Sequence, residues 1–216
     1  MIDDPEGFIR ANTALQPVPH APEISLYVAD EITPIWKMTE VALGSLGMAP
    51  PFWAFAWAGG QALARYVLDN RELVRGKAVL DFASGSGLCA IAAMKAGAAR
   101  ALANDVDPFC RAAIAVNAEA NGVVVESLIA DLLDRPPPAV DVILAGDICY
   151  EKTISQRVMA WLGIARAEGV TVLVGDPGRT YFPRQGLVQL AQYEVQTTRE
   201  LEDFEIKKTG VWTLSD

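Results

Sequence analysis

Residues 79–88 read Val-Leu-Asp-Phe-Ala-Ser-Gly-Ser-Gly-Leu, and this stretch decides the fold. Residues 78–82, which are apolar except for Asp81, predict a short buried strand, and the alanine-rich residues 88–96 predict a helix. Gly85 and Gly87 fall in the turn between them, where glycine lets the backbone turn tightly and approach a ligand, and where the helix N-terminus offers unpaired N–H groups. The pattern predicts a nucleoside-binding turn of an α/β fold. The glycine string alone also fits a strand-to-helix turn that binds nothing.

Helical and strand patterns alternate on both sides of this turn. Further helices are predicted at residues 61–68, 108–121 and 154–165, and further strands at 99–103, 124–130, 140–145 and 170–174. Strands separated by helices indicate βαβ units and a parallel sheet that is covered on both faces. Two last strands, at 193–198 and 211–214, have only a charged turn between them. We therefore expect a Rossmann-like, doubly wound α/β sheet, mostly parallel, with an antiparallel C-terminal edge strand.

The first fifty residues differ from the rest. Prolines at positions 5, 17, 19, 22 and 34 interrupt them, and the pattern supports only a strand at 24–28 and a short helix at 36–43. We interpret residues 1–50 as an N-terminal extension packed on a main domain of residues 51–216.

Composition limits the possible functions. The chain has 216 residues, with 18 Lys and Arg against 27 Asp and Glu, and a net charge of −9. Nucleic acids and anionic membranes need a cationic face, so we expect neither as a partner. No apolar stretch approaches the length of about 20 residues that a membrane span needs. We expect a monomer.

The scarce residues exclude several kinds of site. His20 is the single histidine, so it alone would have to support any Ser-His-Asp or Cys-His catalysis, and a His-rich metal site is impossible. Three cysteines without a CxxC pair argue against zinc and against a disulfide framework, so we expect no metal. Reduced thiols, and an N-terminus without an apolar signal region, favour a cytoplasmic location.

Two aspartates indicate which class of ligand the glycine turn binds. Asp81 ends the strand before the glycine turn, where a carboxylate would repel the pyrophosphate of a dinucleotide. It suits S-adenosyl-L-methionine instead, which carries a sulfonium and an ammonium and no phosphate. Asp105 follows the next strand, about where an acidic residue binds ribose hydroxyls. Asp107, just before Pro108, is better placed to cap the following helix.

These residues, together with Asp131 after the third strand, resemble the motif series of the class I (seven-β-strand) S-adenosylmethionine-dependent methyltransferases. Ala83 stands where that family has its first glycine. Residues 52–63 and 146–150 (Gly-Asp-Ile-Cys-Tyr) resemble the protein lysine methyltransferases within the class. Residues 102–108 and 175–179 are similar to the subgroup that methylates the β subunit of electron transfer flavoprotein. The likeness covers about 51–214, and Cys149 replaces an aromatic residue that is usual there.

The resemblance implies roles for individual residues. Asp147 would position the acceptor amine and Tyr150 would hydrogen-bond it, which makes these two the candidate catalytic residues. Asp131 would accept from the adenine amine, and Trp57 would contact the sulfonium by cation–π attraction. The full set of expected cofactor-binding residues is Trp57, Asp81, Ala83, Gly85, Gly87, Asp105, Asp131, Leu132 and Gly146. Arg179 either binds a substrate carboxylate or is a surface turn residue, and we favour the second slightly.

The leading interpretation is a protein-lysine N-methyltransferase that uses S-adenosyl-L-methionine, with the β subunit of electron transfer flavoprotein as the acceptor. A ribosomal protein or a small-molecule amine is the alternative acceptor. A nucleic-acid amine methyltransferase is disfavoured because Ile148 and Cys149 replace the two prolines of its (N/D)-P-P-Y motif. A cofactor-binding domain without catalysis is disfavoured by the presence of Asp147 and Tyr150. A dinucleotide oxidoreductase is disfavoured by Asp81.

Overall fold

The structure, a computed structural model, describes residues 2–30, 49–197 and 206–215, together with the single residues 33, 35, 38 and 44. The strands are β1 (Ala14–Val18), β2 (Ala21–Val28), β3 (Ala78–Phe82), β4 (Arg100–Asp105), β5 (Glu126–Ile129), β6 (Val142–Gly146), β7 (Thr171–Asp176), β8 (Leu187–Gln196) and β9 (Ile206–Leu214). The helices of the described part are α1 (Pro5–Asn12), α2 (Ala58–Asp69), α3 (Leu88–Lys95), α4 (Cys110–Ala120) and α5 (Lys152–Ala167).

The strands from β3 onward form a single sheet in the described chain, in the order β5-β4-β3-β6-β7-β9-β8. Strands β3 to β7 pair in parallel, whereas β9 runs antiparallel to both β7 and β8. The predicted Rossmann-like sheet with an antiparallel C-terminal edge is confirmed. After β3 the chain continues to β4 on one side, and it returns to β6 on the other. A crevice therefore opens at the carboxyl ends of β3 and β6, where ligands bind in such sheets.

The central strands are buried on both faces, which explains their continuous apolar sequences. On one face, Val79 packs in a cluster with Leu63 and Val67 of α2. On the other face, its neighbour Leu80 packs with Leu162 and other residues of α5. The helix layers on both faces thus hold the sheet in place and set where the carboxyl ends of its strands lie.

The N-terminal residues pack on α4 and, through β1 and β2, on α2 and α3. Asp4 caps α1 by accepting a hydrogen bond from the Gly7 amide at 2.9 Å. The hairpin of β1 and β2 is fastened to α4 because the Tyr27 amide donates to Asn117 Oδ1 at 2.7 Å. The strand predicted at 24–28 lies within β2, whereas α1 and β1 were not predicted. The helix predicted at 36–43 lies, except for Met38, outside the described residues, and the division of the chain at residue 50 stays a prediction.

Element boundaries differ from the predicted ones in a few places. Helix α4 begins at Cys110 rather than at Pro108, because Pro108 and Phe109 form a turn in which the Cys110 amide donates to the Asp107 carbonyl. Strand β8 begins at Leu187, six residues before the predicted start. The charged turn after β8 falls in 198–205, outside the described residues. Within the described chain, no helix combines the length and the apolar character that crossing a bilayer requires.

Candidate active site

A cavity of about 840 Å³ opens at the carboxyl ends of the parallel strands. Ten of the eleven predicted site residues line it: Trp57, Asp81, Ala83, Gly85, Asp105, Asp131, Leu132, Gly146, Asp147 and Tyr150. Gly87 is not among the lining residues. It precedes α3 with a φ of 86°, and a Cβ there would lie 3.5 Å from Ile114 of α4. Its place in the motif is explained by the turn geometry.

The turn between β3 and α3 is held in a left-handed backbone conformation. Ala83 has a φ of 54° and Gly85 a φ of 55°. A residue with a Cβ is disfavoured in this conformation, which accounts for glycine as the family's residue at the position of Ala83. The Gly85 amide donates to Asp105 Oδ2 at 2.9 Å, so the end of β4 fixes the turn.

Asp81 lies at the bottom of the cavity and is almost fully buried. Its Oδ2 accepts hydrogen bonds from Ser84 Oγ at 2.6 Å and from the Ala90 amide at 2.9 Å. Burial raises the pKa of Asp81 to about 7, and the nearby charge of Asp105 acts in the same direction. A cation in the cavity would therefore favour the ionised form of this carboxyl group.

Asp105 and Asp131 lie on the side of the cavity formed by β4 and β5. Asp105 Oδ1 accepts from the amides of Val106 at 2.8 Å and Asp107 at 3.0 Å. Asp131 Oδ1 accepts from the Leu133 amide at 2.9 Å. Asp107 Oδ1 accepts from the Phe109 amide at 2.9 Å within the turn before α4. The N-cap residue of α4 is Phe109, so the expectation that Asp107 caps this helix directly is wrong. The side chain of Leu132 is buried and gives this side an apolar wall.

Asp147 follows β6 directly and has a φ of 57°. Its Oδ2 accepts from the Gly60 amide at 2.9 Å, in the first turn of α2, where the helix dipole favours a negative charge. Its Oδ1 accepts from Arg179 Nη2 at 2.6 Å and Nε at 3.2 Å. The side chains of Asp147 and Arg179 are 9% and 19% exposed. The guanidinium of Arg179 lies 5.7 Å from the ring centre of Trp57.

Close packing of four glycines places Asp147 against α2. A Cβ at Gly146 would lie 2.9 Å from Gly60 Cα, and Gly59 and Gly175 contact each other's backbones in the same way. The start of α2 therefore rests directly on the ends of β6 and β7. Packing alone accounts for glycine at position 146. That the Gly146 backbone closely approaches a cofactor stays a prediction.

Aromatic rings form the mouth of the cavity. Tyr150 is 61% exposed and Phe52 is 57% exposed. The Phe52 ring centre lies 6.3 Å from that of Tyr150 and 6.0 Å from that of Trp57. Partial burial raises the pKa of Tyr150. Trp53 and Trp57 both line the cavity, and Trp53 is the more deeply buried of the two.

Three features of the site were not predicted from the sequence: the position of Phe52, the pairing of Arg179 with Asp147, and the role of Asp176. Asp176 is buried, and its Oδ1 accepts from the amides of Gly178 and Arg179, both at 2.7 Å. Burial raises the pKa of Asp176 to about 6, with a further contribution from the charge of Asp147. Asp176 thus anchors the turn that carries Arg179. The Gly-Asp-Pro-Gly sequence at 175–178, which includes Asp176, was the available indication of this turn, because Asp and Gly are typical turn residues.

The chemistry of the cavity suits a cationic ligand. Five aspartates and two arginines line its described wall: Asp81, Asp105, Asp107, Asp131, Asp147, Arg157 and Arg179. Burial raises the pKa of the Cys149 thiol to about 11 and that of Cys89 well above its usual range, so neither is an activated nucleophile. Among the described residues, no group of three or more His, Cys, Asp or Glu is arranged to hold a metal ion.

The chain is similar to known methyltransferases over most of its length. Residues 61–155 match the family model "Ribosomal protein L11 methyltransferase (PrmA)". The electron transfer flavoprotein beta subunit lysine methyltransferase of Rattus norvegicus is 38% identical over 197 residues, which cover 88% of this chain and 76% of the rat protein. The corresponding protein of Xenopus laevis is 35% identical over 215 residues, covering 97% of this chain and 86% of the frog protein.

A solved structure shows the same fold. Ribosomal protein L11 methylase from Lactobacillus delbrueckii subsp. bulgaricus is similar with a TM-score of 0.52 at 19% identity, over 75% of this chain and 81% of that one. The likeness to the rat and frog proteins is closer, and it extends over most of each chain. The chain therefore belongs to the family of electron transfer flavoprotein beta subunit lysine methyltransferases.

Proposed function

We propose that the protein transfers methyl groups from S-adenosyl-L-methionine to lysine side chains of the β subunit of electron transfer flavoprotein. The observation that carries the chemistry is Asp147. Its carboxylate lies at the carboxyl end of β6, on the N-terminus of α2, and engages a cation beside the Trp57 ring. A lysine ammonium is a cation of the same charge, and this is where the acceptor nitrogen would be held.

The residues around the β3–α3 turn fit S-adenosyl-L-methionine. When bound, this cofactor supplies an electrophilic methyl group on its sulfonium. The buried carboxyl of Asp81 suits a ligand with cationic groups, and Asp105, at the end of β4, suits ribose hydroxyls. Asp131 and Leu132 would hold the adenine, by a hydrogen bond and by apolar contact. Trp57 would lie near the sulfonium.

The acceptor nitrogen must be neutral to attack a methyl group. A lysine amine has a pKa of about 10.4, so almost all of it arrives as ammonium at neutral pH. Asp147 binds that form and fixes its position, whereas the aromatic rings of Phe52, Trp57 and Tyr150 exclude water and favour the neutral amine. Tyr150 would hydrogen-bond the nitrogen, and the proton would leave through water at the open mouth. Asp147 therefore acts as an anchor rather than as a strong base.

The acceptor protein is inferred from the relatives, whose names specify the β subunit of electron transfer flavoprotein. The ribosomal protein L11 methyltransferase model matches only residues 61–155, so a ribosomal protein is less well supported as the acceptor than the flavoprotein subunit. A net charge of −9 suits a basic docking surface on the substrate. We expect the enzyme to act in the cytoplasm, and the three free, buried thiols are compatible with a reducing compartment.

Substitutions that keep side-chain shape test the two proposed catalytic residues. Asp147→Asn and Tyr150→Phe should leave folding and cofactor affinity intact and lower methyl transfer by about a hundredfold or more, the effect of losing a positioning contact. Asp69→Asn and Tyr66→Phe are matched controls. Asp69 pairs with Arg65 at 2.6 Å, the distance of the Asp147–Arg179 pair, and neither control residue lines the cavity.

Activity is measured with labelled S-adenosyl-L-methionine and recombinant electron transfer flavoprotein. Cofactor binding is followed separately by thermal shift. Full activity in both site variants would show that Asp147 and Tyr150 are structural. A thermal shift with NAD and none with S-adenosyl-L-methionine would refute the methyltransferase proposal.

A further inference from the structure

We infer that Arg179 is a resident cation in the acceptor pocket: its guanidinium occupies the place of the substrate ammonium, which must displace it from Asp147. This rests on the proposed function for the location of the acceptor pocket, and it adds a selectivity mechanism. Arg179 is a positioning residue that determines which head groups can enter.

The contacts of Arg179 are those expected for a bound cationic ligand. Nη2 and Nε donate to the same oxygen of Asp147, at 2.6 and 3.2 Å. The guanidinium carbon lies 5.7 Å from the centre of the Trp57 ring, within the range of cation–π attraction. A carboxylate on one side and an aromatic ring on the other also suit an alkylammonium group, so the two cations would compete for one place.

Aromatic rings line the cavity beside this place, and some of them reach solvent. Phe52 lies between Tyr150 and Trp57, with ring centres 6.3 and 6.0 Å away, and Phe52 and Tyr150 are both more than half exposed. The methylene stem of a lysine can contact these rings while its nitrogen reaches Asp147. These rings and the Arg179–Asp147 pair line the same cavity and together suit an alkyl cation.

The surroundings allow the guanidinium to move away. The backbone of Arg179 is held by Asp176, whose Oδ1 accepts from the Gly178 and Arg179 amides, so the turn stays in place when the side-chain pair breaks. Asp176 Oδ2 is buried and has no hydrogen-bond partner among the described residues. The described cavity wall carries five aspartates against two arginines, so a second cation is electrostatically favoured there.

Displacement explains how the pocket would select its substrate. An arriving ammonium replaces the charge that Asp147 loses when Arg179 leaves. A neutral side chain of similar shape carries no charge that could replace the guanidinium. It would leave the nearly buried Asp147 carboxylate without a counter-ion, which is strongly unfavourable. The pair therefore keeps the pocket closed to apolar and neutral polar side chains and opens it to cations.

The test uses n-butylammonium, which combines a four-carbon stem with a cationic head, and n-butanol as its neutral counterpart. Arg179→Gln removes the resident cation. Arg65→Gln is the matched control because Arg65 is 20% exposed and pairs with Asp69 outside the cavity. Binding is measured by calorimetry at neutral pH without any methyl donor or acceptor protein. We expect n-butylammonium to bind Arg179→Gln about tenfold more tightly than it binds the unchanged protein or Arg65→Gln, with no such gain for n-butanol.

A second measurement observes Arg179 directly in the unchanged protein. In protein labelled with ¹⁵N-arginine, the Nε–H signal of Arg179, identified by its loss in Arg179→Gln, should shift when n-butylammonium is added and not when n-butanol is added. Equal or weaker n-butylammonium binding by folded Arg179→Gln, or an Arg179 signal that ignores n-butylammonium, would overturn the inference. Methylation of the flavoprotein is scored separately: its absence would refute the proposed acceptor and leave these binding results standing.

Discussion

Replacing Gly146 with alanine should disturb both the core and the active site. The added Cβ would lie 2.9 Å from Gly60 Cα and 3.0 Å from Gly60 N, both of them backbone atoms. Carbon atoms in contact are normally about 3.5–4.0 Å apart, so the start of α2 must move by roughly half an ångström or more. Overpacking of this kind costs about 1–3 kcal/mol in the free energy of unfolding. For a chain of this size that corresponds to a fall in Tm of roughly 2–12 °C.

The same movement should reduce activity, because the Gly60 amide donates to Asp147 Oδ2. Gly163→Ala is the matched control: Gly163 lies within α5, and a Cβ there would meet no atom within 4 Å. Alanine in a helix interior is about 0.5–1 kcal/mol more stable than glycine, so this variant should melt roughly 1–4 °C higher with normal activity. Thermal melts and methyl-transfer rates of both variants test the reasoning. If Gly146→Ala melts at or above the temperature of the unchanged protein, the close packing of α2 on β6 is refuted.

Three further predictions concern the cofactor and the partner. Burial raises the pKa of Asp81 to about 7, and a bound cation favours its ionised form. The Kd for S-adenosyl-L-methionine should therefore rise by up to about tenfold for each pH unit below 7. In calorimetric titrations, Asp81→Asn should remove this pH dependence. The stability of the ligand-free protein should change with pH in the opposite direction. Because the pKa of Asp81 is raised on folding, its protonated form contributes to the free energy of unfolding, and that contribution is lost as the pH rises from about 4 through 7. Cofactor at 100 times its Kd should add about 2.7 kcal/mol to stability, and Asp105→Ala should abolish most of the thermal shift; an unchanged shift would remove Asp105 from the site. Methylation of the flavoprotein should slow as salt rises and screening shortens to about 8 Å near physiological ionic strength, whereas a rate independent of salt would exclude electrostatic docking.

The strands and helices around the cavity were predictable because buried elements have recognisably apolar sequences. Strand β3 has the predicted bounds, since its residues other than Asp81 are apolar and pack on both faces of the sheet. Helix α1 was missed because Pro5 was interpreted as a break, although proline is well tolerated in the first turn of a helix that Asp4 caps. The first half of β8 was missed because it is mostly exposed at the sheet edge and has no buried side to impose an apolar pattern.

Most of the residues that line the cavity were predictable singly, but the pairing of Asp147 with Arg179 was not. Asp147 and Arg179 are 32 positions apart, and each follows a different strand. They meet because β6 and β7 pair in parallel with Gly146 opposite Gly175, a register that the local sequence does not specify. The interpretation of Arg179 as a surface turn residue was therefore incomplete: it lies in a turn, and its guanidinium faces into the cavity.

The most direct test of the central claim is mass spectrometry of the acceptor. Purified enzyme and S-adenosyl-L-methionine are mixed with recombinant electron transfer flavoprotein and ribosomal protein L11 in equal amounts, and the digested proteins are examined for methylated lysine peptides. The account predicts lysine peptides of the flavoprotein β subunit that carry one or more added methyl groups, and their loss with Asp147→Asn. An unmodified β subunit, in the presence of an enzyme that binds the cofactor and methylates the ribosomal protein, would contradict it.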